Sequence, residues 1–197
     1  SVCIAIECGN EQIRNRILNR NLSNSQIESA CAALKKNGLR IYTLNMVGLP
    51  SETEKEIFET INLNQRLNID FCDATIFQPY PGTQINKYCK ENGYLSEDVK
   101  NFSNLYTASL LNFDSDFKKK LFILQRLFPI LVMYPNLTLK LDFLFKIKNN
   151  RFFLKVLNLI YKFYYGINLH RKIYASKIPL ILRLRRSFTF FNSEAKV

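Results

Sequence analysis

Three apolar runs set the frame of this chain: residues 1–7, 39–47 and 69–77, each read as a short strand and each closing on polar, glycine or proline residues. Between them the apolar period lengthens to that of a helix. Asn10 is placed to cap a helix carrying Ile13, Ile17 and Leu18 on one face. Ser23 followed by Gln26 is a capping box, and Ile27, Cys31 and Leu34 then recur at helical spacing. Gly38 falls where a left-handed carboxyl cap is wanted. Ser51 with Glu54 is expected to cap the next helix, whose buried side holds Ile57, Ile61 and Leu67. Pro79 and Pro81 end the third run, since proline cannot continue a ladder. A short helix over residues 83–92, closed by Gly93, follows.

Strand, helix, strand, helix, strand predicts a parallel sheet with right-handed crossovers. Polar and glycine residues at strand ends are the way an α/β barrel builds its active face. Three strands cannot close a barrel. The rest of the sheet is therefore expected ahead of Ser1, and the chain is expected to be the carboxyl-terminal part of something longer. From about residue 95 the pattern changes. Residues 101–113 are irregular and polar-aromatic, and residues 118–184 predict several helices broken at Pro129, Pro135, Gly166 and Pro179. Two regions result, 1–95 and a mainly helical extension over 96–197.

Charge sharpens that division. The 197 residues carry a net charge of +12, yet residues 1–117 hold 11 Lys/Arg against 14 Asp/Glu, and residues 118–197 hold 17 against 2. The basic extension has three readings: helices with a solvated basic face, docking on an anionic membrane surface through basic and aromatic residues, or contact with RNA or DNA phosphates. Its high apolar content favours membrane over nucleic acid. Its longest uncharged stretch, residues 127–139, has 13 residues and two prolines, short of the roughly 20 a bilayer span needs. Five cysteines (Cys3, Cys8, Cys31, Cys72, Cys89) follow neither a disulfide framework nor a zinc spacing. They read as small buried hydrophobes in a reducing cytosol, with peripheral membrane attachment the alternative location. Against that setting the Asn136-Leu137-Thr138 glycosylation pattern carries no weight. His170, the sole histidine, reads as a surface residue, which argues against a Ser/His/Asp triad.

The strand ends carry the specific signal. They read Ala5-Ile6-Glu7-Cys8-Gly9 with Arg20 beyond, Gly48-Leu49-Pro50-Ser51-Glu52-Thr53, and Phe77-Gln78-Pro79-Tyr80-Pro81-Gly82-Thr83. In this order and spacing they resemble the second half of the radical S-adenosylmethionine (SAM) core, in the branch with an amino-terminal cobalamin-binding domain. The resemblance covers roughly residues 1–95. Cys8 stands where that family usually has Ser, and Ser51 where it has Gly. The family's Cys-x3-Cys-x2-Cys cluster motif is absent from the chain. The resemblance implies the carboxyl-terminal half of a partial (β/α)6 TIM-type barrel. It also implies SAM, a [4Fe–4S] cluster whose thiolates lie upstream, and an external electron donor. The activity implied is formation of a 5′-deoxyadenosyl radical, with cobalamin-dependent methyl transfer to an unactivated carbon of a small or lipid-like substrate as a frequent next step. Alternatives are a cluster-less basic module binding a membrane or RNA, and a radical SAM enzyme that modifies tRNA.

By that resemblance the SAM-binding residues are Glu7, Cys8, Arg20, Met46, Val47, Gly48, Pro50, Phe77 and Pro79. Glu7 would accept hydrogen bonds from the ribose or the amine; otherwise its carboxylate caps the following helix. Arg20 would pair with the methionyl carboxylate, or else is a surface arginine beside Arg14 and Arg16. Met46, Val47 and Gly48 would wall the adenine, or simply end a core strand. Phe77 and Pro79 would line its other side, or form a rigid turn. Tyr80 would face the substrate.

Overall fold

Each apolar run becomes a strand: β1 (Val2–Glu7), β2 (Ile41–Val47) and β3 (Phe71–Ile76). The fold is seen in a computed structural model that describes residues 1–96, 108–146, 151–173, 179, 181, 182 and 185. The strands pair in parallel in the order β1-β2-β3, with Val2 opposite Ile41 and Tyr42 opposite Phe71. The β1–β2 ladder slips between Ala5 and Glu7, and Glu7 takes a left-handed backbone with φ 67°.

Local side-chain chemistry sets most helix starts. Asn10 accepts the Ile13 amide at 2.9 Å to open α1 (Glu11–Leu18). Ser23 and Gln26 form the capping box of α2 (Asn24–Lys36), and Gly38 takes φ 70° just past its end. The helix α3 (Glu54–Arg66) opens two residues later than its sequence suggests. Its cap is Thr53 with Glu56, not Ser51 with Glu54. The reason is Glu52, which turns back to accept the Gly48 and Leu49 amides at 2.5 and 3.0 Å and holds Ser51 in the preceding turn. Thr83 caps α4 (Gln84–Glu91), and Gly93 follows it at φ 72°.

The expected half barrel is not what these strands build. Among the described residues the sheet is open and three-stranded, and its two faces are covered by different helices, an arrangement with which a Rossmann-like α/β fold is compatible. On one face Ile41, Val47, Cys72, Ala74 and Ile76 pack with Ile27 of α2, Ile57 and Ile61 of α3, and Leu121, Leu124 and Phe128 of α5 (Ser115–Met133). On the other face α7 (Arg151–Lys172) lays Tyr161 and Tyr165 against Phe71 and Tyr42. A barrel would keep that second face for its interior, and here tyrosines of the chain's own extension occupy part of it.

Two predicted breaks do not occur. Pro129 lies inside α5 and Gly166 inside α7. Burial of Leu121, Leu124, Phe128 and Leu131 offsets the roughly 3 kcal/mol that an interior proline costs a helix. Pro135 does end α5, and a 3₁₀ turn (Pro135–Lys140) and α6 (Leu141–Lys146) follow. Of residues 101–113, those at 101–107 lie outside the described residues, as do the neighbours of Pro179 and the side chain of His170. No helix of the described residues is long and apolar enough to cross a membrane.

Asp73 anchors α7 to the sheet. Its carboxylate, 2% exposed, accepts the Ala74 amide at 2.8 Å and the Tyr161 hydroxyl at 3.0 Å. The Arg126 guanidinium of α5 lies 4.9 Å from the Tyr161 ring centre and 4.7 Å from that of Phe122. Changing Tyr161→Phe should destabilise the chain by about 1.5–3 kcal/mol, the range for a hydrogen bond to a buried charged group. Urea unfolding checks this, and an unchanged midpoint would remove Asp73–Tyr161 as the anchor.

Candidate functional site

The strand ends converge, as the motifs require, but most motif side chains face protein. Cys8, Leu49 and Phe77 join Cys89, Leu95 and Leu111 in a small apolar core at the carboxyl ends of the strands. Cys8, Val47, Gly48, Pro50, Phe77 and Pro79 are all buried. Glu7, Arg20, Met46 and Tyr80 reach the surface, Tyr80 being 49% exposed. A β-carbon on Gly48 would sit 2.6 Å from Cδ2 of Leu121, so on that side the close approach expected of an adenine is made by α5.

The most exposed charged pair of these motifs is Arg20 with Glu7. Arg20 Nη1 donates to the Ala5 carbonyl at 3.0 Å and to Glu7 Oε1 at 3.1 Å. The bulge at the end of β1 places both acceptors side by side. Partial burial pushes the Glu7 carboxyl above its ordinary range, against the opposing pull of Arg20. The helix that follows is capped by Asn10, which leaves the Glu7 carboxylate outside that role.

Three residues that sequence reasoning passed over hold the strand ends in place. Arg14 is not a surface neighbour of Arg20 but is fully buried. It donates to the Cys8 carbonyl at 2.7 Å, to Asn24 Oδ1 at 2.9 Å and to the Leu22 carbonyl. Asn24 in turn donates to the Gly9 carbonyl at 2.9 Å. Glu52, 2% exposed, gathers the Gly48 and Leu49 amides and meets the Cys8 sulfur at 3.7 Å. Burial pushes its carboxyl up to about 8, although the two amides pull the other way. The same burial, with Glu52 nearby, lifts the Cys8 thiol to about 12. One sequence signal existed for Arg14, which shares a helix face with Asn10 and Ile17. Glu52 sat within the quoted motif without a role.

The residues present fit one end of SAM. A carboxylate and a guanidinium at a strand's carboxyl end complement the amine and carboxylate of an amino-acid zwitterion. They do not fit an iron–sulfur cluster. Cys8 and Cys89 belong to one apolar core and Cys31 and Cys72 to another, Cys3 is exposed, and no group of three metal-ligating side chains occurs among the described residues. A concavity of about 190 Å³ lies between α1 and the start of α3, lined by Asn10, Gln12, Ile13, Arg16, Ser51 and Glu56 among others.

No family model matches the chain. It is similar to an uncharacterized methyltransferase of Pyrococcus horikoshii, with 33% identity over 96 residues. The match covers 47% of this chain and 21% of that protein, so the chain spans about a fifth of the length of the relative it matches.

Proposed function

We propose that this chain is the part of a SAM-dependent methyltransferase that grips the amino-acid end of the methyl donor. The observation that carries the reading is the Arg20–Glu7 pair, half-exposed on the bulged carboxyl end of β1. The methyltransferase relative supports the reaction class. Glu7 takes the donor's ammonium and Arg20 its carboxylate, while Arg14 and Glu52 fix the loops on either side. Met46, half-buried on the neighbouring strand, offers apolar contact beside them.

The finer reading is a radical SAM enzyme, supported by the three strand-end motifs in register. On that reading SAM also supplies the radical, and the cluster's thiolates are residues other than these five cysteines. No step through a cluster follows from this chain, and no residue of it is assigned to cobalamin.

Calorimetric titration of the full chain with SAM tests the grip. Glu7→Gln and Arg20→Gln should each weaken binding by about tenfold or more, the scale of one charge-assisted hydrogen bond. A parent chain that takes up no SAM, or variants that bind it as the parent does, would overturn the assignment.

A further inference from the structure

α7 is apolar on both its inward and its outward side. Leu157, Tyr161 and Tyr165 are buried against the rest of the chain, as an amphipathic helix requires. The opposite, outward side is also apolar. Phe152, Val156, Leu159, Ile160 and Phe163 recur at helical spacing and are all exposed, Phe152 by 72%, Leu159 by 45% and Ile160 by 48%. Phe143 of α6 is exposed by 73%. An outward apolar face of this extent marks an interaction surface.

Charge identifies what it meets. The helix holds Arg151, Lys155, Lys162, Arg171 and Lys172 and not one Asp or Glu, within a stretch (residues 118–197) that carries 17 basic residues against 2 acidic ones. Lys155 lies one turn from Leu159 and Phe152 and is exposed like them. A second copy of the chain would bring two strongly basic halves together. A nucleic-acid phosphate run needs basic residues along the middle of the face, where this helix has Phe, Leu and Ile. An anionic bilayer satisfies both features, because its acyl boundary takes the apolar side chains and its headgroups take the flanking lysines.

We infer that α7 is an interfacial helix, by which the protein rests on the surface of an anionic membrane without crossing it. This stands independently of the SAM assignment.

Sedimentation of the full chain with vesicles tests it. The parent should pellet with phosphatidylcholine vesicles carrying about one third phosphatidylserine and remain in solution with phosphatidylcholine alone. The triple variant Phe152→Ser, Leu159→Ser, Ile160→Ser should lose about tenfold or more in partitioning, with circular dichroism and urea midpoint unchanged. Lys155→Glu, which keeps the apolar face, should weaken binding at low salt and match the parent at high salt. Equal sedimentation of parent and triple variant would overturn the inference, as would a parent indifferent to vesicle charge. So would a concentration-dependent dimer, seen without vesicles, that the triple variant abolishes.

Discussion

Raising the pH from 5 to 8 is expected to weaken the folded chain by about 1.4 kcal/mol per unit through Glu52 alone. Burial pushes this carboxyl up to about 8 in the folded chain. In the unfolded chain it returns to about 4.3. Between those values the folded state holds a proton that the unfolded state has released, so stability falls as pH rises. Below the lower value both states are protonated and the slope vanishes. Across the full window the loss is of order 5 kcal/mol. Glu52→Gln keeps a carbonyl for the Gly48 and Leu49 amides but cannot titrate. Urea unfolding at a series of pH values should therefore show the parent's slope and a flatter line for the variant. Matching slopes would assign the pH dependence to another group. Glu52→Ala should be costly even at pH 5, because each buried amide left without its acceptor costs about 1–3 kcal/mol.

The second large effect is expected at Gly9. An alanine β-carbon there would lie 2.5 Å from Cα of Thr60, 2.6 Å from the Glu59 carbonyl oxygen and 2.7 Å from the Glu59 carbonyl carbon. All three are backbone atoms of α3, so no side chain can swing aside. The helix must back away from β1, and the Gly9 amide then loses its 2.8 Å hydrogen bond to Thr60 Oγ1. Gly9→Ala should cost about 3 kcal/mol or more, the upper range for overpacking a tight contact. Gly38→Ala is the comparison. Nothing lies within 4 Å of a β-carbon there, and only its φ of 70° resists substitution, at about 1 kcal/mol. Equal urea midpoints for the two variants would mean that α3 is not held against the end of β1 as tightly as the geometry shows.

What could be read from the sequence was what neighbouring residues decide among themselves. Asn10, Ser23 and Thr83 cap helices through bonds spanning three residues, and each helix starts where its cap indicates. The three strands were legible from periodicity, and their parallel pairing from the helices between them. Reading failed where a distant partner decides. Ser51 loses the cap of α3 because Glu52 is drawn to Gly48 and Leu49. Pro129 stays inside α5 because the sheet buries its neighbours. Arg14 looks like a solvated cation until the Cys8 and Leu22 carbonyls close on it. At the candidate site the motifs share the carboxyl end of the sheet. They did not show that Cys8 and Phe77 pack inward, since Leu95 and Leu111, which complete that core, lie outside the motifs.

The pairing of β1 with β2 and β2 with β3 has a kinetic side. Val2 must find Ile41 and Tyr42 must find Phe71, so every rung closes a loop of about 30–40 residues before it returns any stabilisation. Helices α1, α2 and α3, whose bonds are local, can form while those loops are still searching. The sheet then sets the pace of folding, and until it closes, α1, α2 and α3, short helices marginal on their own, lack the surface that holds them.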